Sequence, residues 1–306
     1  YEKSGELLNQ VSTVFGNLLS AETNDDMQEL AKSIMPLLSE HGNNITLNEK
    51  LFARIKAVYD QKDQANLTPE QNKLLEKVYN SFVRSGANLE GEAKEQYRTL
   101  SKELSLLTLQ FGENNLKETN DYKLVLTDPA QLAGLPQSAI DAAAETAKEK
   151  GVEGWVFTLQ APSYSPFMTY ASNRDLRCKL YMAYNTKCTH DNETNNLEIV
   201  KKLVNTRLAI AQLLGYSSFA EYNLQERMAE NSGNVYKLLD QLLDAYTPTA
   251  KQEYAEVEAL ARQLEGSDFT VMPWDWSYYS HKLKDQKFQI DDEMLRPYFE
   301  LRDRKS

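Results

Sequence analysis

Glycine, proline, cysteine and histidine are all scarce in this 306-residue chain, at 12, nine, two and three residues. Each shortage excludes something. With so little glycine there is no G-x-x-x-x-G-K-[ST] phosphate loop, no G-x-G-x-x-G turn and no G-x-S-x-G elbow. Two cysteines, Cys178 and Cys188, make no disulfide framework. Both fall in RDLRCKLYMAYNTKC, which reads as one helix; ten residues of helix separate them by ~15 Å, too far for a bridge. They are expected to be free thiols. His41, His190 and His281 stand far apart, so no pair at i and i+4 can seat a metal on one helix face. His190-Asp191-Asn192-Glu193 is the one cluster with ligand-type neighbours, and it reads more simply as a polar loop leading to a helix cap. Basic residues are outnumbered 34 to 45, for a formal charge of −11. That excludes a general nucleic-acid binder, which needs a basic footprint. No apolar run approaches the ~18 residues of a membrane span.

What is present is helical periodicity. Apolar residues make up 41% and charged residues 26%, the balance of a globular chain with a core. Leu7, Leu8, Val11, Val14, Phe15, Leu18 and Leu19 recur at helical spacing. Thr23 to Asp25 offers caps for a second helix ending near His41-Gly42, and Thr46 a cap for a third containing Leu51, Ile55 and Val58. Thr68-Pro69-Glu70-Gln71 is a strong helix start, with cap, first-turn proline and capping-box glutamine. Residues 89–117 predict one long helix.

The pattern changes at Tyr122. YKLVLTD (122–128) and GWVFTLQAPSY (154–164) are β-rich runs. The Ala-rich stretch 135–151 between them predicts a helix stopped by Gly151. A two-stranded ribbon joined by one helix is expected. Helices resume at Pro166 and are predicted over 173–188, 192–214, 217–225 and 233–264. The fold class is mainly α, a multi-helical lobe with a small two-stranded β element around 122–160. The organisation expected is an N-terminal helical region, 1–120, followed by a β-ribbon-plus-helix region, 121–306. The chain opens on Tyr1 inside an amphipathic pattern, which is the expectation for an N-terminus that has been trimmed.

Two segments carry candidate chemistry. Asn173, Arg174 and Arg177 open a helix, and two arginines at i and i+3 suit a carboxylate. The plainer alternative gives them Asp175 or a neighbouring helix as partner. The aromatic segment 274–285 places Trp276, Tyr279 and Leu283 on one face if it is a helix. Trp274, Tyr278 and His281 then point elsewhere, so one face is core and the other faces a second domain or a channel. Packing on both sides is the competing reading, and a solvated or hydrogen-bonded role is the default for His281.

The order of these motifs resembles a known family. LPQSAIDAAAETAKEKG, GWVFTLQAPSYSPFMTYASNRDLRCKLYMAY, LLGYSSFAEYNLQERMA and PWDWSYYSHKLKDQKFQIDDEMLRPYFEL follow one another as in the thimet-oligopeptidase-like zinc metallopeptidases. The branch most resembled is the bacterial peptidyl-dipeptidase and oligopeptidase A group. The likeness extends back to SGELLNQVSTVFGNLLSAETND and so covers nearly the whole chain. It implies a mostly helical, two-lobed hydrolase with a deep channel and a zinc ion held by HExxH and a downstream Glu. That family's HExxH lies C-terminal to the WDW–RPYF segment. Here RDRKS follows Leu301 and no HExxH occurs, so no catalytic or metal residue is carried over.

The resemblance therefore implies a non-catalytic N-terminal portion that walls a channel for oligopeptides, with no zinc bound and no activity of its own. Asn173, Arg174, Arg177 and Tyr278 are its candidate channel residues. The implied partners are oligopeptides and the absent C-terminal catalytic lobe, with self-association through late helices such as 274–299. No nucleic acid or membrane is expected as partner. The compartment stays open between bacterial cytoplasm and periplasm. The alternative from another class is a stand-alone helical scaffold that binds peptides or proteins without hydrolysis.

Overall fold

The computed structural model describes residues 4–289, 292–295 and 298. It is mainly α-helical with one two-stranded sheet. Two compact units are present, each discontinuous in sequence. One comprises residues up to Glu113 with Asn196–Asn234, the other Asn114–Asn195 with residues from Val235 onward. Residues 196–234 thus belong with the N-terminal helices although they follow the β element.

The first unit contains α1 (Glu6–Ala21), α2 (Asp25–Thr46), α3 (Glu49–Tyr59), α4 (Pro69–Arg84) and most of α5 (Gly91–Asp121), with α9 (Leu197–Leu213) and α10 (Phe219–Leu224). The starts follow the capping chemistry. Asn24 Oδ1 accepts from the Met27 N–H at 2.9 Å, and Thr68 and Gln71 complete the expected capping box. Thr46 does not cap α3. It ends α2, its hydroxyl donating back to the Gly42 carbonyl, and Asn48 caps α3 instead. Asn48 has the extended backbone an N-cap requires and accepts from the Leu51 N–H, whereas Thr46 is still helical as the last residue of α2. Phe52, Phe82 and Ala87 form one core, with Phe52 and Phe82 stacked at 6.2 Å. Leu47, Tyr97 and Ile210 form a second.

The second unit holds β1 (Leu124–Leu126), α6 (Gln137–Glu149), β2 (Trp155–Phe157), α7 (Ala161–Tyr170), α8 (Arg174–Asn185), most of α11 (Ser232–Glu265), α12 (Trp276–Phe288) and α13 (Asp292–Leu295). The strands pair antiparallel, Leu124 with Phe157 and Leu126 with Trp155. Leu124 and Leu126 face the core while Val125 faces out, the period of two along a half-buried strand. The turn into β2 needs glycine. Gly154 sits at φ +93°, and a Cβ there would lie 2.1 Å from the Leu126 carbonyl oxygen.

The expected β-rich run 154–164 stops early. Only Trp155–Phe157 is strand, and Ala161 already begins α7. Pro162, in the first turn of α7, suits a helix start, because its missing N–H has no intrahelical acceptor to lose there. The expected helix 173–188 is shortened too. α8 ends at Asn185 and Cys188 lies beyond it at φ +58°, so no single helix carries both cysteines. Both are free thiols. Phe157 and Phe167 meet edge to face at 4.6 Å in the main core, with Leu124, Leu126, Leu159 and Leu180 around them. Burying each such ring is worth about 1.5–3 kcal/mol. No described helix is long and apolar enough to cross a membrane.

Candidate functional site

The site begins at the start of α8. Asn173 caps the helix, its Oδ1 accepting from the Leu176 N–H at 3.1 Å. The cap sets Arg174 and Arg177 one turn apart, on the side that meets the segment before α12. Two cations at a helix N-terminus oppose the helix dipole, so their position requires an anion. Asp275 supplies it.

Asp275 is completely buried, within the 3₁₀ turn Pro273–Asp275. Arg174 donates to both of its oxygens, from Nε at 3.2 and 3.1 Å and from Nη2 at 2.8 Å. Arg177 donates from Nη2 to Oδ1 at 2.8 Å, and the Met272 N–H donates to Oδ2 at 3.0 Å. Other guanidinium N–H groups donate to main chain. Arg177 reaches the carbonyls of Ala171, Ser172 and Trp274, and Arg174 that of Thr270. Each cation also lies over a ring, Arg177 4.1 Å from the centre of Tyr278 and Arg174 4.3 Å from that of Phe269. Burial alone pushes the Asp275 carboxyl up, but the hydrogen bonds from Arg174, Arg177 and the Met272 amide outweigh it and hold it below the usual aspartate value. Hydrogen bonding to Asp275 in turn raises Arg174. The charges are paired and hydrogen-bonded, the condition under which burial is tolerated.

Of the four candidate residues, Arg174 and Arg177 meet on one carboxylate, Tyr278 lies against Arg177, and Asn173 caps the helix that carries the arginines. Arg177 is 1% exposed and bonded through all three guanidinium nitrogens, whereas Arg174 keeps 40% of its side chain at the surface. The carboxylate itself was missed. It is neither Asp175 nor a ligand, but the acid between the two tryptophans of WDW. A lone Asp enclosed by large aromatics is the signal that pointed to it.

The aromatic segment packs differently from a single helical wheel. Trp274 precedes α12 and sits against Tyr181. Tyr278 and Tyr279 are both buried, while Trp276 is 40% exposed. The ring of Tyr278 is drawn inward by Arg177. Burial pushes the Tyr279 hydroxyl well above its ordinary range. His281 meets Tyr170 edge to face at 4.6 Å, which joins α12 to α7.

Around His190 the polar side chains pair with one another at the surface. Glu193 pairs with Lys117 at 3.0 Å, and Asn192 accepts from the Thr194 amide and hydroxyl. Among the described residues no three His, Cys, Asp or Glu side chains converge on a point that could hold a metal ion.

Residues 167–306, which include α8, the clamp and α12, match the model of peptidase family M3. The chain is 34% identical over 301 residues to the dipeptidyl carboxypeptidase of Escherichia coli (strain K12), covering 98% of this chain and 44% of that protein. It is 33% identical over 298 residues to oligopeptidase A of the same organism, covering 96% and 44%. An organellar oligopeptidase A of Arabidopsis thaliana is 29% identical over 308 residues, covering 98% and 39%. The chain thus spans less than half the length of the curated relatives it matches.

Proposed function

The chain belongs to peptidase family M3, and on that footing we propose that it forms the non-catalytic N-terminal part of a zinc metallopeptidase acting on oligopeptides. In this reading both sequence regions, 1–120 and 121–306, belong to one lobe, which contributes a wall of the substrate channel. The observation that carries it is coverage: 98% of the chain aligns with 44% of a dipeptidyl carboxypeptidase. Neither the three separated histidines nor the described acids provide a zinc ligand set. Zinc is therefore assigned to no residue here, and no chemical step runs through it.

The role of the clamp in this reading is positional. Arg177 and Asp275 fix the segment before α12, and Arg174 keeps a surface through which a substrate carboxylate can be oriented. The exposed Phe288, Met294 and Leu295 support self-association of the 306-residue chain through its late helices. Arg296, Pro297 and Phe299 of that segment lie outside the described residues. The compartment proposed is bacterial cytoplasm or periplasm.

Metal analysis combined with a quenched-fluorescence peptide assay tests the reading. The expected result for the 306-residue chain is no stoichiometric zinc and no cleavage. Chelator-sensitive turnover by this chain overturns it. Reading the gene beyond codon 306 gives the complementary test. An in-frame HExxH supports the peptidase, whereas a stop codon directly after Ser306 favours a peptide-binding scaffold without hydrolysis.

A further inference from the structure

The turn that wraps the clamp has an outer side. Val271, Met272 and Pro273 form the floor of an open groove of about 570 Å³, walled by Tyr254 of α11 and Trp276 of α12. The two rings lie nearly parallel, 8° apart with centres at 5.9 Å. Both stay substantially exposed, Tyr254 at 44% and Trp276 at 40%. The floor is held in place by the clamp behind it. The Met272 amide is held by Asp275, and the neighbouring carbonyls of Thr270 and Trp274 are held by Arg174 and Arg177.

One charged side chain lines this apolar groove, that of Glu253. It makes no ion pair or hydrogen bond among the described residues. The basic side chains Lys284 and Lys287 line an adjoining groove that Glu253 and Trp276 also border, and Lys287 is bound there to Glu256. The groove therefore offers aromatic faces, which carry negative potential, together with a carboxylate. An anionic ligand would meet Glu253, and a purely apolar one would desolvate it without compensation. A cation on an apolar stem satisfies both surfaces. The clamp on the other side of the same turn makes this combination internally, with Arg177 and Arg174 over rings and against Asp275. No arginine or lysine of the described chain lies over Tyr254 or Trp276.

We propose that the Tyr254–Trp276 groove binds the arginine or lysine side chain of an oligopeptide. Its stem lies on Met272 and Pro273, its cation over the ring faces, and Glu253 pairs with the charged end. The assignment of a peptide as carrier rests on the peptidase reading above; the cation preference rests on the groove.

The test is isothermal titration of the 306-residue chain at low salt with blocked Ala-Ala-Arg-Ala-Ala and with its citrulline and glutamate counterparts. The arginine peptide is expected to bind about fivefold or more tighter than the citrulline peptide, the size of one exposed ion pair with a cation–π contact. Glu253→Gln should remove most of that difference, and Trp276→Leu should weaken the arginine peptide about tenfold. Circular dichroism should be unchanged in both variants, since both side chains lie at the surface. Equal affinity for the arginine and citrulline peptides overturns the proposal. So does failure of all three to bind, while the peptidase reading is judged separately by turnover in the longer polypeptide. Sedimentation that shows a dimer dissolved by Trp276→Leu gives the groove to a second copy, and that also overturns it.

Discussion

Arg177 and Asp275 stand 98 residues apart in the chain and 2.8 Å apart in the fold, with 1% and 0% of their side chains exposed. The pair ties the start of α8 to the entry of α12. Both charges are removed from water, so each depends on the other for compensation.

Asp275→Ala should therefore be far more damaging than its size suggests. It leaves Arg177 buried without an anion, at an expected cost of about 3–5 kcal/mol. Arg174→Ala removes a partly exposed partner and should cost about 1 kcal/mol. Urea unfolding of the three proteins checks the ranking, and equal losses for the two variants would contradict the clamp.

The same carboxylate should mark the acid limb of stability. The folded-state value of Asp275 lies below its ordinary 3.8, so its contribution is fully present above that pH. It declines as pH falls from there toward the depressed folded value and is gone below it. The stability gap between the parent and Asp275→Asn should be constant from pH 7 to about 5 and close on further acidification. Denaturant melts of both proteins across pH 2–7 measure it; a gap that closes between pH 7 and 5 would rule out Asp275 as the cause.

Gly154 and Gly151 both have positive φ, at +93° and +65°, but only Gly154 faces a backbone oxygen at 2.1 Å from an added Cβ. Gly154→Ala should cost about 3 kcal/mol or more, and Gly151→Ala about 1–2 kcal/mol. Thermal melts compare them directly. Similar shifts in Tm would mean that the β1–β2 approach is looser than described.

Burial, reinforced by the Glu118 carboxylate, pushes the Cys188 thiol up to about 11. With iodoacetamide at pH 8 the native chain should be alkylated at the half-buried Cys178 first. Cys188 should react only after unfolding, because the thiolate is the nucleophile. Peptide mapping by mass spectrometry gives the order, and early labelling of Cys188 would refute it.

Much of the fold was legible because its signals are local. The Thr68 capping box and the long helix over 89–117 need only neighbours within a turn or two, and both stand in the structure. Where two local signals compete, spacing does not choose between them. Thr46 had two available roles, and the residues after Phe157 carried β propensity that the first-turn Pro162 of α7 overrode. The site divided along the same line. Two arginines at i and i+3 need a carboxylate, and spacing alone leaves Asp175 and a neighbouring helix equally open as its source.

The exposed Trp276 shows the limit of periodicity. A helical wheel drawn through 274–285 assumes one continuous helix, and the 3₁₀ turn at Pro273–Asp275 displaces Trp274 from it. Its register then follows the buried charges rather than the pattern of rings.

By itself the sequence determined the helical class, the Thr68 capping box, the ribbon and the family likeness, because these depend on short-range spacing and ordered motifs. Only the tertiary structure decided which acid completes the arginine pair and which rings stay outside. A buried charge accepts whichever partner packing delivers, and that partner came from 98 residues away.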